Sequence, residues 1–147
     1  MNDRARKVWA RTRLLIRAES YSLASLPKGL LAEAAALVAS GDDGFAALIL
    51  ERDEVSVTVK ETLWARSSLR THARAETGSL RAITMDIDVE LELCGYLAPA
   101  ATLLAEAGVS IVPQCAYLKD HLLVRNEQLA TARRVLEALI LDCRSPG

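Results

Sequence analysis

Residues 83–124, ITMDIDVELELCGYLAPAATLLAEAGVSIVPQCAYLKDHLLV, change hydrophobic period twice. From 83 to 91 every second residue is apolar: Ile83, Met85, Ile87, Val89 and Leu91. Thr84, Asp86, Asp88 and Glu90 stand between them, and Glu92 extends the polar row. A period of two predicts a strand with one face buried and one wet. Leu93-Cys94-Gly95 then makes a turn, after which Leu97, Ala100, Ala101, Leu104 and Ala107 recur at helical spacing. Pro99 falls in the first turn of that helix, where amide donors have no intrahelical acceptor, and Gly108 ends it as a C-cap able to take positive φ. Residues 109–116 predict a second strand, 117–120 a turn and 121–124 a third strand. The order is strand, helix, strand, strand.

Three pieces of this stretch carry a family resemblance. Leu93-Cys94-Gly95-Tyr96-Leu97, then Leu104-Ala105-Glu106-Ala107-Gly108-Val109-Ser110-Ile111, then Tyr117 with Asp120-His121-Leu122-Leu123-Val124, resemble the turn, helix end and hairpin of ACT domains. More narrowly, they resemble the small tandem-ACT proteins related to the CASTOR-type arginine sensors. The likeness runs from about residue 81 to 139 and is weak before residue 63. It implies an α+β fold of ferredoxin-like βαββαβ units in tandem, with antiparallel sheets and helices on one face.

Outward from this stretch, Asn126 is a candidate N-cap for a last helix over 126–141, whose Leu129, Ala132, Leu136, Leu139 and Ile140 face the core. Arg144-Ser145-Pro146-Gly147 is read as a tail. Toward the N-terminus the element order repeats without sequence identity. A first strand from Leu14 through Ser25 leads to a helix start at Ser25-Leu26-Pro27, with Ser25 as its N-cap. The stripe Leu30, Leu31, Ala34, Leu37 and Val38 ends at Gly41, and Asp42-Asp43-Gly44 is a turn. The apolar run 45–50 predicts a buried central strand, and Val55, Val57 and Val59 a half-buried one after a turn at 52–54. The expected division is a basic arm at 1–13, a first ACT-like half at 14–65, a linker at 66–79 and a second half at 80–143. Pro113, without an amide donor, belongs on an edge strand.

Met1 to Arg13 carries Arg4, Arg6, Lys7, Arg11 and Arg13 against Asp3, with Val8 and Trp9 its only large apolar residues. Such an arm can bind nucleic acid or a partner, or serve as an organelle transit peptide, but a frayed or loosely docked terminus is the plainer expectation. Half the 147 residues are apolar, 51%, so a core forms without staples, and with aromatics at 4% it is built from aliphatics and alanine. A net charge of −1 gives no global attraction to nucleic acid or anionic membrane. No apolar run approaches the roughly 20 residues that span a bilayer, and the N-terminus lacks a secretory h-region. Cys94, Cys115 and Cys143 form no CxxC pair, which suits a reduced, cytoplasmic setting.

Catalytic chemistry is sparse. There is no phosphate-cradling glycine loop, HExxH or GxSxG, and no cofactor is expected. Cys115 and His121 face each other across the predicted hairpin and can in principle build a nucleophile or a metal site, yet a small buried hydrophobe and a strand-end histidine explain them more simply. The acidic row Asp86, Asp88, Glu90 and Glu92 lies side by side rather than convergent, so it reads as a solvated face and no metal site is expected.

Binding chemistry has more support. The turn Leu93-Cys94-Gly95 opens a helix, whose terminal amides suit a carboxylate, and Gly95 lets a ligand approach the backbone. Asp120, after Tyr117 in the hairpin turn, suits an ammonium or guanidinium. Together they describe a free amino acid. The alternative is that Gly95 relieves a tight turn and Asp120 caps a hairpin. The resemblance implies that Leu93, Cys94, Gly95, Tyr117 and Asp120 form the ligand site. Glu92, Cys94 and Lys119 stand where the family commonly has hydroxyls, which puts the ligand's identity in doubt. The expectation is an amino-acid-binding regulatory module, homodimeric, without enzymatic activity. The alternatives are a ligand-free dimerisation module and a minor cysteine enzyme.

Overall fold

The computed structural model describes residues 1–42 and 44–145. Asp43 of the expected 42–44 turn, and Pro146 and Gly147 of the expected tail, lie outside the described residues. The chain forms two compact units. The first joins Met1–Arg17 to Ala82–Gly147, and the second is Ala18–Arg81. Strands β1 (Leu14–Pro27) and β4 (Ala75–Met85) pass from one unit into the other. Compared with the expected 14–65 and 80–143, residues 14–17 fall in the first unit and residues 66–81 in the second.

The first unit begins with helix α1 (Asp3–Arg11), where a frayed arm was expected. Asn2 is its N-cap, its side chain accepting from the Ala5 amide at 2.8 Å. Ala5 and Trp9, one turn apart, are fully buried, which docks the helix while its arginines face solvent. Helix α4 (Leu97–Glu106), strands β5 (Ile111–Cys115) and β6 (Asp120–Arg125), and helix α5 (Leu129–Arg144) follow. The strand order is β4-β6-β5, and β5 and β6 are antiparallel. Pro113 sits on β5 opposite Leu122 and at the sheet edge, as its missing donor requires. Ile83, Met85, Leu122 and Val124, alternate residues of β4 and β6, share one core with Trp9, Tyr96, Leu104 and Leu136. All three long helices thus pack on the same face of the strands. Gly108 takes φ +71 after α4, the C-cap expected of it.

In the second unit the order is β2-β3-β1, with β2 (Ala47–Leu50) and β3 (Glu54–Lys60) antiparallel to their neighbours. Helices α2 (Leu31–Ala39) and α3 (Glu61–Arg66) cover a core of Ala24, Leu26, Val55, Val57, Val59 and Trp64. The apolar run read as a central strand is an edge strand: Ile49 and Leu50 are each 51% exposed. Length and hydrophobicity do not distinguish a sheet's centre from its edge. Ser25 is paired within β1, and its hydroxyl bonds the Glu54 carboxylate rather than capping a helix. Residues 66–79 hold a short 3-10 turn, Ser68–His72, and the start of β4. Arg70 there pairs with Glu76 at 2.8 Å.

Two corrections bear on the first unit's surface. Strand β4 ends at Met85, not Leu91. The Ile87 amide donates back to the Met85 carbonyl at 2.9 Å, and Val89 donates to Leu118 at 2.9 Å, so residues 86–92 leave the sheet and cross to the hairpin tip. The last helix is preceded by a 3-10 turn, Asn126–Gln128, and Gln128 rather than Asn126 is at the N-cap. Ala132, Leu136, Leu139 and Ile140 are buried on α5 as the periodicity predicts, joined by Cys143.

Candidate functional site

Helix α4 starts without a side-chain cap. Its first-turn amides, Leu97 and Ala98 among them, have no intrahelical acceptor, and Pro99 contributes none. The chain enters it through Gly95 at φ +82, a left-handed conformation that costs glycine little. Antiparallel pairing sets Cys115 directly opposite Asp120 at the end of the β5–β6 hairpin. Between these two features lies a cleft of about 410 Å³, within the roughly 300–1,000 Å³ of small-molecule sites. Leu93, Gly95, Tyr117 and Asp120 all line it. Cys94 does not: it is exposed, and its carbonyl accepts from Asn2 Nδ2 at 2.9 Å.

The turn is held from behind by α1. Trp9 Nε1 donates to the Tyr96 carbonyl at 2.7 Å, and the two rings stack with centroids 4.7 Å apart. The hydroxyls of Tyr96 and Thr12 share a bond of 2.9 Å, and burial pushes the Tyr96 phenol up to about 12. Arg4 pairs with Glu90 on the same loop. Asn2, Trp9 and Thr12 support the turn without being among the expected site residues. The spacing Asn2, Ala5, Trp9, Thr12 on one helical face is the signal that finds them.

Charges at the rim are neutralised locally. Lys119, standing where a hydroxyl was expected, reaches Asp88 at 2.7 Å and Asp86 at 3.2 Å. The Asp88 bond, then that to Asp86, raises its ammonium pKa. Arg13 lies 3.6 Å from Asp86. Asp86, Asp88 and Glu90 are thus tied down by cations, and Glu92 stands exposed at the end of the row. Among the described residues no cluster of His, Cys, Asp and Glu is arranged for a metal ion.

Cys115 and His121 do not face each other. Cys115 pairs with Asp120, and His121 with Gln114, so alternation sends the two side chains to opposite faces. Cys115 is exposed as a residue, yet partial loss of solvent around its sulfur, then the bond to Asp120 and its charge, push the thiol up to about 11, the reverse of a nucleophile's requirement. His121 is buried and bonds Thr84 Oγ1 through Nδ1 at 2.9 Å.

No family model and no curated protein matches the chain. Solved structures do. A Vibrio cholerae protein of unknown function, described as a possible transport protein, is 22% identical with a TM-score of 0.68, over 90% of this chain and 94% of that one. The ligand-free regulatory subunit of aspartate kinase from Thermus thermophilus is 13% identical with a TM-score of 0.64, over 87% and 97%. Aspartokinase III from E. coli, in complex with aspartate and ADP, is 16% identical with a TM-score of 0.62. There the match covers 87% of this chain but 33% of the longer enzyme. Among the described residues no helix is long and apolar enough to cross a membrane. The fold is that of aspartate kinase regulatory subunits, an ACT-like fold.

Proposed function

We propose that the chain is a tandem ACT-type regulatory module, related to the CASTOR-type sensors, whose first unit binds a free amino acid. The ligand's carboxylate lies on the amides opening α4, and its ammonium on Asp120. The module signals through association as a cytoplasmic homodimer and performs no chemistry of its own.

One observation carries this reading: the uncapped start of α4 and the Asp120 carboxylate line the same cleft. Amides favour an anion and a carboxylate favours a cation, which is the charge pattern of a zwitterion. The shared fold of aspartate kinase regulatory subunits supports the regulatory role by analogy. The high Cys115 thiol, turned away from His121, argues against a cysteine enzyme.

A thermal-shift screen over the common amino acids tests the proposal. A ligand at 100 times its Kd adds roughly 2.7 kcal/mol of stability. Asp120→Asn should keep the parent fold and bind at least several-fold more weakly, because a charged hydrogen bond exceeds a neutral one by about 1 kcal/mol. Equal binding by the variant places the ligand elsewhere. Sedimentation at tens of micromolar, where a dimer with a Kd of about 1 μM is populated, checks the association.

A further inference from the structure

Three large apolar side chains stand out of the first unit's surface at one place. Leu91 is 68% exposed, Tyr117 75% and Leu118 48%, and all three line the cleft between the Gly95 turn and the hairpin tip. A single exposed leucine is ordinary, but three around one cavity form a patch that calls for a covering group. Val89, Leu93 and Leu97, partly buried, continue the same wall inward.

Apart from Glu92, which is exposed at its outer end, the ionic groups beside that wall are engaged. Glu90 is paired with Arg4, and Lys119 is shared by Asp88 and Asp86. With the ligand's ammonium on Asp120, its side chain meets carbon. A lysine or arginine brings a second cation to a cleft whose lining carboxylates are Asp120 and the paired Glu90, Glu92 being exposed and outside that lining, and an aspartate brings a second anion with no cation free for it. Either sheds water without a compensating partner. An aliphatic or aromatic side chain covers Leu91, Tyr117 and Leu118 and removes them from water.

We infer that the cleft selects α-amino acids with apolar side chains, of the leucine, isoleucine, methionine and phenylalanine class, over charged ones. Leu91, Tyr117 and Leu118 are the specificity surface. The inference rests on the amino-acid site proposed above.

Calorimetry on the full chain tests it, with L-leucine and L-phenylalanine against L-arginine, L-lysine and L-aspartate. The parent is compared with Tyr117→Ser, Leu118→Ser and Asp120→Asn, each first checked for an unchanged melting curve; the exposure of Tyr117 and Leu118 makes that expected. An apolar amino acid should bind at least about tenfold more tightly than any of the three charged ones, in the range that hydrophobic pockets discriminate. Leu118→Ser and Tyr117→Ser should each weaken it several-fold. A charged amino acid binding as tightly as leucine overturns the inference. The underlying site then still stands if Asp120→Asn weakens that binding. Leucine bound tightly by all variants alike overturns the assigned wall, and no binding of any of the five overturns both readings.

Discussion

Trp9 Nε1 donates to the carbonyl oxygen of Tyr96 at 2.7 Å while the two rings stack at 4.7 Å, so the N-terminal helix grips the residue that opens α4. Both side chains are buried. The bond satisfies a carbonyl that solvent does not reach, and the stack adds roughly 0.5–1.5 kcal/mol beyond area burial.

Replacing Trp9 therefore has a graded cost. Trp9→Phe keeps a ring but orphans the Tyr96 carbonyl, for about 1–3 kcal/mol, and Trp9→Ala also leaves a cavity, for about 3–5 kcal/mol. Urea denaturation followed by circular dichroism measures both. Equal, negligible losses would mean that α1 is not held by this residue. Deleting residues 1–13 should be at least as damaging as Trp9→Ala.

His121 gives stability a pH dependence on the acid side. Burial first, then the charge of Arg17, hold its imidazole pKa below the ordinary 6.5. The unfolded chain therefore binds a proton more readily than the folded one. The contribution is fully present above about pH 6.5 and is lost as pH falls toward the folded value. Urea midpoints taken from pH 7.5 down to 5 should decline, and His121→Gln should flatten that part of the curve. A variant with the parent's slope would assign the dependence to other groups.

Cys115 should react slowly. With its thiol pushed up to about 11, only a small fraction is thiolate at pH 8. Iodoacetamide labelling followed by peptide mass mapping should find Cys94 modified well before Cys115. Asp120→Asn, by removing the neighbouring charge, should speed Cys115 labelling several-fold. An unchanged rate would show that the carboxylate does not act on the sulfur.

The legible parts of this fold are those where one physical signal dominates. Gly108 stopped α4 where only a positive φ ends the helix, Pro113 marked an edge because it has no amide, and α5 showed its buried stripe at helical spacing. The misread parts are those where tertiary partners decide. Residues 87–91 keep a strand's alternation, yet the Ile87 amide turns back onto Met85 and the Val89 amide reaches Leu118 at the hairpin tip. Residues 47–50 are as apolar as a central strand but lie at an edge. Helix α1 is hidden in the sequence because its arginines dominate the composition, although Ala5 and Trp9 are buried and Val8 and Ala10 pack on the same core. At the site, four of the five expected residues line one cleft, while Cys94 contributes only a carbonyl to Asn2. The supporting Asn2 and Trp9 lie some ninety residues away in sequence, beyond the reach of local spacing.

In the proposed complex the amino acid's carboxylate rests on the amides that open α4. The most direct measurement is a two-dimensional amide NMR titration of the isotope-labelled chain with L-leucine. The Gly95, Leu97, Ala98 and Asp120 amides should show saturable shifts with one common Kd, abolished or weakened in Asp120→Asn, while Gly29 before α2 stays still. Saturable shifts confined to the second unit, or none at any amide around the Gly95 turn at millimolar ligand, would contradict it.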